Sequence, residues 1–169
     1  KLISDIKKDK NILDASPYIS LQGLISSQYN SKGVNVIGID TKNEDNMSII
    51  PDYMVVGSIS DLESGNSIII GSLLAANLGV YVGDKINITT SDIKTSIIGS
   101  YPTSVNFQIV GIYELKTEID QSMTLVSHET AQKLKNINLS ETLSIRIKTN
   151  NLFEADNISK NLINNLNRN

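Results

Sequence analysis

The chain has neither cysteine nor tryptophan among its 169 residues, and a single histidine. Without cysteine there is no disulfide, no thiol nucleophile and no Cys-based metal site. A lone histidine, His128, has no second histidine with which to share a metal. Aromatic residues make up only 5%. Basic clustering is missing too: 15 Lys and Arg stand against 18 Asp and Glu, a net charge of −3. Nucleic-acid surfaces need a clustered basic face, so that class is excluded. The run Lys7-Lys8-Asp9-Lys10 is broken by an acid and reads as a solvated helix end. No stretch approaches the ~18 consecutive apolar residues of a membrane span. No signal-peptide pattern opens the chain. No P-loop, no G-x-G-x-x-G and no G-x-S-x-G elbow is present, so nucleotide chemistry and an elbow-type hydrolase are unsupported.

What is there is an ordinary globular composition, 40% hydrophobic and 20% charged. A chain of this length makes one domain or two small lobes, and can bury about 70% of its unfolded surface. The densest signal is the run from Ser67 to Ile88. Ile68-Ile69-Ile70 reads as a short buried strand. Gly71-Ser72 breaks it and starts a helix through Leu73, Leu74, Ala75, Ala76 and Leu78. Gly79 fits the left-handed position after a helix. Gly83-Asp84 is a turn, after which Ile86 and Ile88 alternate with polar residues as a second strand.

Elsewhere, residues 1–8 read as a helix with Leu2, Ile3 and Ile6 on one face. Pro17 is expected to separate Ile12-Leu13 from a strand over Tyr18–Tyr29. Ser31-Lys32-Gly33 is read as the turn of a hairpin between 24–28 and 34–39. Thr41–Ser48 reads as a polar loop. Thr142–Thr149 alternates with period two, which sends Leu143, Ile145 and Ile147 inward and Ser144, Arg146 and Lys148 outward. Leu152–Leu166 is an amphipathic helix whose stripe runs through Leu152, Ala155, Ile158, Leu162, Ile163 and Leu166. The expectation is an α+β fold in two lobes. One is a discontinuous α/β sandwich from both chain ends, 1–47 and 128–169; the other is a mainly β middle, 48–127.

Two constellations invite a chemical reading. Glu118 and Asp120, spaced i and i+2, would share one face of an extended strand, which opens a hydrolase or carbohydrate-binding reading beside that of a plain charged turn. The stretch 91–105 lies between two strands and reads as a hairpin arm of the middle lobe, longer than the two to five residues usual for a tight hairpin. It carries Ile97, Ile98 and Gly99, then Tyr101 and Pro102. Exposed isoleucines at a loop tip make sense if a partner covers them, since burying one is worth roughly 1.5–3 kcal/mol. A loop packed onto its own domain is the other reading of the same residues.

The pattern of Ser67–Ile88 resembles the extracytoplasmic domain of the LolC/LolE family of lipoprotein-releasing ABC transporter permeases, within the MacB-like periplasmic domain superfamily. The resemblance extends to Val34–Asp40, Phe107–Tyr113, Glu118–Asp120, Met123–Val126 and Glu129–Leu134, in the family's order. It implies a soluble domain between two membrane spans of a longer inner-membrane protein, lying in the periplasm, with Porter-like and Sabre-like lobes corresponding to the two above. It implies no enzyme activity and no cofactor, because ATP would be hydrolysed by a separate LolD-like cytoplasmic subunit. The partners it implies are a second permease subunit (LolE-like or itself), lipoprotein substrates and a LolA-like periplasmic chaperone. The stretch 91–105 resembles the hook that captures that chaperone, which would place Ile97, Ile98, Gly99, Tyr101 and Pro102 in contact. The chain departs from the family at the hook's opening proline, here Thr90, and at a basic and polar pad, here Ile86, Ser104 and Val105. A MacB- or FtsX-type permease, acting in efflux or in activating cell-wall hydrolases, is the alternative within the superfamily.

Overall fold

In a computed structural model of the chain, residues 2–96, 99–135 and 144–166 are described; along 91–96, 99–102, 152, 165 and 166 the description is of backbone alone. The elements are α1 (Leu2–Ile6), β1 (Ile12–Ser26), β2 (Ser31–Ile39), α2 (Glu44–Met47), β3 (Met54–Val56), β4 (Ser67–Gly71), α3 (Ser72–Leu78), β5 (Lys85–Ser96), β6 (Gly99–Tyr113), β7 (Met123–Ser127), α4 (His128–Leu134), β8 (Ser144–Thr149) and α5 (Ala155–Leu166). The architecture is mixed α+β, as the sequence predicts.

The 8-stranded sheet follows the order β2-β7-β4-β6-β5-β1-β8, with β3 on the side of β6. β1 also pairs with β2, so the ladder closes on itself as β1-β2-β7-β4-β6-β5 and back to β1. One apolar cluster takes residues from all of these strands, among them Ile25, Val36, Val126, Ile68, Phe107 and Ile88, and from α3 and α4. A second cluster covers the opposite face of β2, β7, β4 and β6, with Ile50, Ile59 and Leu62 packing over Ile39, Ile69 and Leu125. β4 is therefore buried on both faces. That is why its sequence is an unbroken isoleucine run rather than an alternation.

The Ser67–Ile88 run folds as its residues dictate. Gly79 caps α3 at φ 65, its N–H donating to the carbonyls of Ala75 and Ala76. Gly71 is needed for close approach: a Cβ there would lie 2.3 Å from the Asp120 carbonyl oxygen.

Several local expectations need correction. β1 runs straight through Pro17, which stands opposite Ile145 of β8. Along Ile12–Tyr18 the strand has a paired neighbour on one side among the described residues, and an edge position tolerates the missing N–H. The β1–β2 turn is Ser27–Asn30, not Ser31–Gly33. The Ser27 hydroxyl accepts from the backbone N–H of Tyr29 and of Asn30 and donates to the Leu78 carbonyl, which fixes the turn against α3. The polar stretch after Thr41 is not a bare loop: it forms α2, which buries Glu44 and Met47.

The two ends of the described chain come together. The first half of β1 pairs with β8, and a third cluster joins Ile6, Ile12, Ala15, Ile158 and Leu162, with Ile145 and Ile147 against it. Of the expected stripe on α5, Ile158 and Leu162 are buried, Ala155 is half-buried and Ile163 is exposed. Leu143 lies outside the described residues. Arg146, expected to face solvent, turns instead onto α2. It forms an ion pair with the fully buried Glu44 and lies over the Tyr18 ring, 5.6 Å from its centroid.

Candidate functional site

The stretch read as a long hairpin arm is built mostly of paired strand. β5 and β6 pair from Lys85↔Gln108 to Thr90↔Thr103 within the barrel wall, then from Ile93↔Pro102 to Ser96↔Gly99 beyond it. β1 leaves β5 at Thr90, and β4 reaches back along β6 only to Gln108. Past those points the two strands have each other as their only strand neighbours among the described residues. The extent of the paired strand was not legible, because Ser91–Val105 shows no sustained period-two alternation of apolar and polar residues.

The root of this arm carries a register shift. Thr90 pairs with Thr103 and Ile93 with Pro102, so Ser91 and Asp92 are surplus on β5. Such a bulge bends and twists its strand locally. Pro102 lies in a two-stranded ribbon that has no further strand beside it among the described residues, the kind of edge position where proline is found.

Of the residues assigned to the hook, Gly99, Tyr101 and Pro102 fall on the first positions of β6, opposite Ser96, Lys94 and Ile93. Ile97 and Ile98 lie outside the described residues.

Around the root, half-buried and exposed side chains form a neutral hydrogen-bonded ladder. Asn87 Nδ2 donates to Asn106 Oδ1 at 2.9 Å, and Ser104 Oγ donates to Asn87 Oδ1 at 2.7 Å. Thr89 Oγ1 donates to Asn87 Oδ1 at 3.2 Å. This ladder was legible in part, since Ile86 and Ile88 facing inward force Asn87 and Thr89 outward. Of the positions that depart from the family pattern, Ile86 and Thr90 are buried, Val105 is half-buried, and Ser104 belongs to the ladder. The Thr90 hydroxyl has no hydrogen-bond partner among the described residues.

The carboxylate pair does not assemble. Glu118–Gln121 is a 3-10 turn, not an extended strand. Glu118 is exposed, while Asp120 is fully buried and accepts from the N–H of Leu115 at 3.0 Å and of Lys116 at 2.8 Å. Those bonds hold Lys116 at φ 60. Asp120 is thus a fastener of the loop after β6. Burial, with the Asp120 charge adding to it, raises the neighbouring Tyr113 phenol well above its usual range. Its hydroxyl donates to the Met123 carbonyl at 2.9 Å.

His128 opens α4, with Ser127 capping the helix by accepting from the Thr130 N–H. It is only partly exposed, and it lines a cleft of about 460 Å³ with Asp40, Glu63, Glu129 and Gln132. Its Nδ1 is buried without a partner among the described residues, and burial lowers its pKa against the opposing pull of Asp40. Among the described residues no group of three or more His, Asp or Glu side chains could hold a metal.

No family model matches the chain. It is 29% identical over 156 residues, 91% of its length, to the lipoprotein-releasing system transmembrane protein LolC of Xylella fastidiosa strain 9a5c. It is 30% identical over the same span to LolC of Neisseria meningitidis serogroup B, and 24% identical over 159 residues to LolE of Haemophilus influenzae. The chain is similar to the LolC- and LolE-type permeases. It spans 37–38% of the length of these curated relatives. Solved structures agree on the fold. The extracellular domain of the noncanonic ABC-type transporter YknZ from Gram-positive bacteria has a TM-score of 0.61 at 11% identity, covering 98% of this chain and 82% of that one. The periplasmic region of MacB from Actinobacillus actinomycetemcomitans has a TM-score of 0.58 at 15% identity, covering 98% and 71%. The LolC- and LolE-type permeases are thus its likenesses in sequence, and these extracellular and periplasmic transporter domains its likenesses in fold. Among the described residues no helix is long and apolar enough to cross a membrane.

Proposed function

We propose that the chain is the periplasmic domain of a LolC-type permease and that its β5–β6 arm receives a LolA-like lipoprotein chaperone. The observation that carries this reading is the similarity to LolC over nine-tenths of the chain. The paired strands that carry Pro102, Tyr101 and Gly99 from the root to the far end of a ribbon are consistent with it. In this reading residues 1–47 and 128–169 make the Porter-like lobe, and 48–127 make the Sabre-like lobe that bears the arm. The longer protein resides in the inner membrane beside a second permease subunit, LolE-like or another copy. A LolD-like subunit on the cytoplasmic side hydrolyses ATP, and the domain helps to pass lipoproteins to the chaperone.

The physics of such a contact is modest apolar burial. Ile97 and Ile98 beside Gly99 would enter an apolar site on the chaperone. A two-stranded ribbon with a proline in it loses little conformational freedom on binding. The pad positions are the uncharged Ile86, Ser104 and Val105, and the neighbouring ladder of Asn87, Thr89 and Asn106 is neutral too, so association is expected to depend only weakly on salt. The test is a titration of the LolA-like chaperone from the same organism into this domain and into its Ile98→Asp variant. Binding by the first and not by the second supports the reading. Equal binding removes the hook, and no binding by either leaves the MacB- or FtsX-type reading.

A further inference from the structure

The third apolar cluster is made of α1, the first half of β1, β8 and α5, and shares no residue with the two clusters of the barrel. The one strand paired with β8 among the described residues is β1. This chain-end unit is therefore joined to the barrel by the continuity of β1 and by whatever crosses from α2. Asn43, just before α2, hydrogen-bonds the Asp14 side chain of β1, and two side chains of β8 make the rest of that crossing. Lys148 Nζ donates to the Asn46 carbonyl at 2.6 Å, and Arg146 pairs with Glu44. Glu44 has 0% side-chain exposure, whereas Arg146 keeps 26%.

The pair is not optimised for stability alone. Glu44 Oε1 and Arg146 Nε are buried without a hydrogen-bond partner among the described residues. An under-satisfied buried ion pair gains little over a packed apolar pair of the same shape, yet losing one partner strands the other charge in the interior. Such a contact behaves as a latch: firm while both halves are present, and costly to leave half-made. Arg146 also lies over Tyr18, which packs against the second barrel cluster and marks the residue where β1 passes from β8 to β2.

We propose that Glu44–Arg146 is a conformational latch that holds the chain-end unit, β8 and α5 above all, against a barrel that stays folded when the latch opens. This holds whichever partner the arm takes. Subglobal opening of this kind is read by native-state hydrogen exchange, which separates cooperative units within one molecule. In the wild type, amides of β8 and α5 exchange together and ahead of those in β4, β6 and β7. In Arg146→Met, their exchange speeds up by about 100-fold or more, as expected when a buried charge loses its partner. The barrel amides stay within about twofold of wild type, as independent sites do. Glu44→Gln, a milder change that keeps the side chain's shape, gives the same pattern with a smaller factor. If barrel and chain-end amides accelerate together in either variant, or β8 and α5 do not respond, the proposal fails.

Discussion

The barrel and the chain-end unit are built from the same aliphatic residues but are buried by different means. Ile68, Ile69 and Ile70 of β4 are at 0% exposure, while Ile12 and Leu162 in the chain-end cluster keep 8% each. A barrel strand has a hydrogen-bonded neighbour on each edge and, in β4, a core on each face. β8 has a paired strand on one edge and α5 covers its cluster from one side. Cooperative stability follows neighbours more than composition, so the two regions should respond differently to equivalent damage.

The sharpest way to break the comparison is Phe107→Ala. Its ring is central to the barrel cluster, and truncation should cost about 3–5 kcal/mol of global stability. Chemical denaturation should show the whole midpoint falling. Leu162→Ala should cost about 2 kcal/mol at the lower end of the leucine range, because its site is shallower. That loss should appear as faster exchange in α5 and β8, with the barrel amides protected; equal acceleration everywhere would erase the distinction. Asp120→Asn keeps an acceptor for one of the two N–H donors and removes the charge. A loss of about 1 kcal/mol is expected, with the Leu115 and Lys116 amides losing protection first.

The smallest effect expected is one of pH. Burial lowers the pKa of His128, against the opposing pull of Asp40, so the folded-state value lies below the unfolded value of about 6.5. The contribution is full above the unfolded pKa and is lost as pH falls through the folded one. Wild-type stability should therefore decline between pH 7 and 5, and His128→Gln should flatten part of that decline. Identical slopes in stepwise denaturation would show that His128 does not sense the folded state.

Legibility followed the same divide. In Ser67–Ile88 the local signals agree with one another, and strand, helix, left-handed cap and turn could all be read before any contact was known. Where tertiary contacts decide, the sequence misled. Pro17 looks like a break, but it lies where β1 has a paired strand on one edge among the described residues. Arg146 sits at an outward position of an alternating strand, yet Glu44, 102 residues away, draws it under α2. No local pattern carries that pairing. Asp120 looked like half of a carboxylate pair because spacing alone does not distinguish an extended strand from a 3-10 turn. The arm was read as a hairpin from its length, its composition and the strands at its ends, but how far the strands run along it was not, because Ser91–Val105 shows no sustained alternation.

The most direct test is the affinity of the LolA-like chaperone for the wild-type domain and for Ile98→Asp, each first shown to be folded by its exchange-protected barrel. The account predicts binding to the wild type and a loss of about 30-fold or more in the variant, the size of an interface hot spot. A wild-type domain that does not bind the chaperone, or a variant that binds as well, would contradict it.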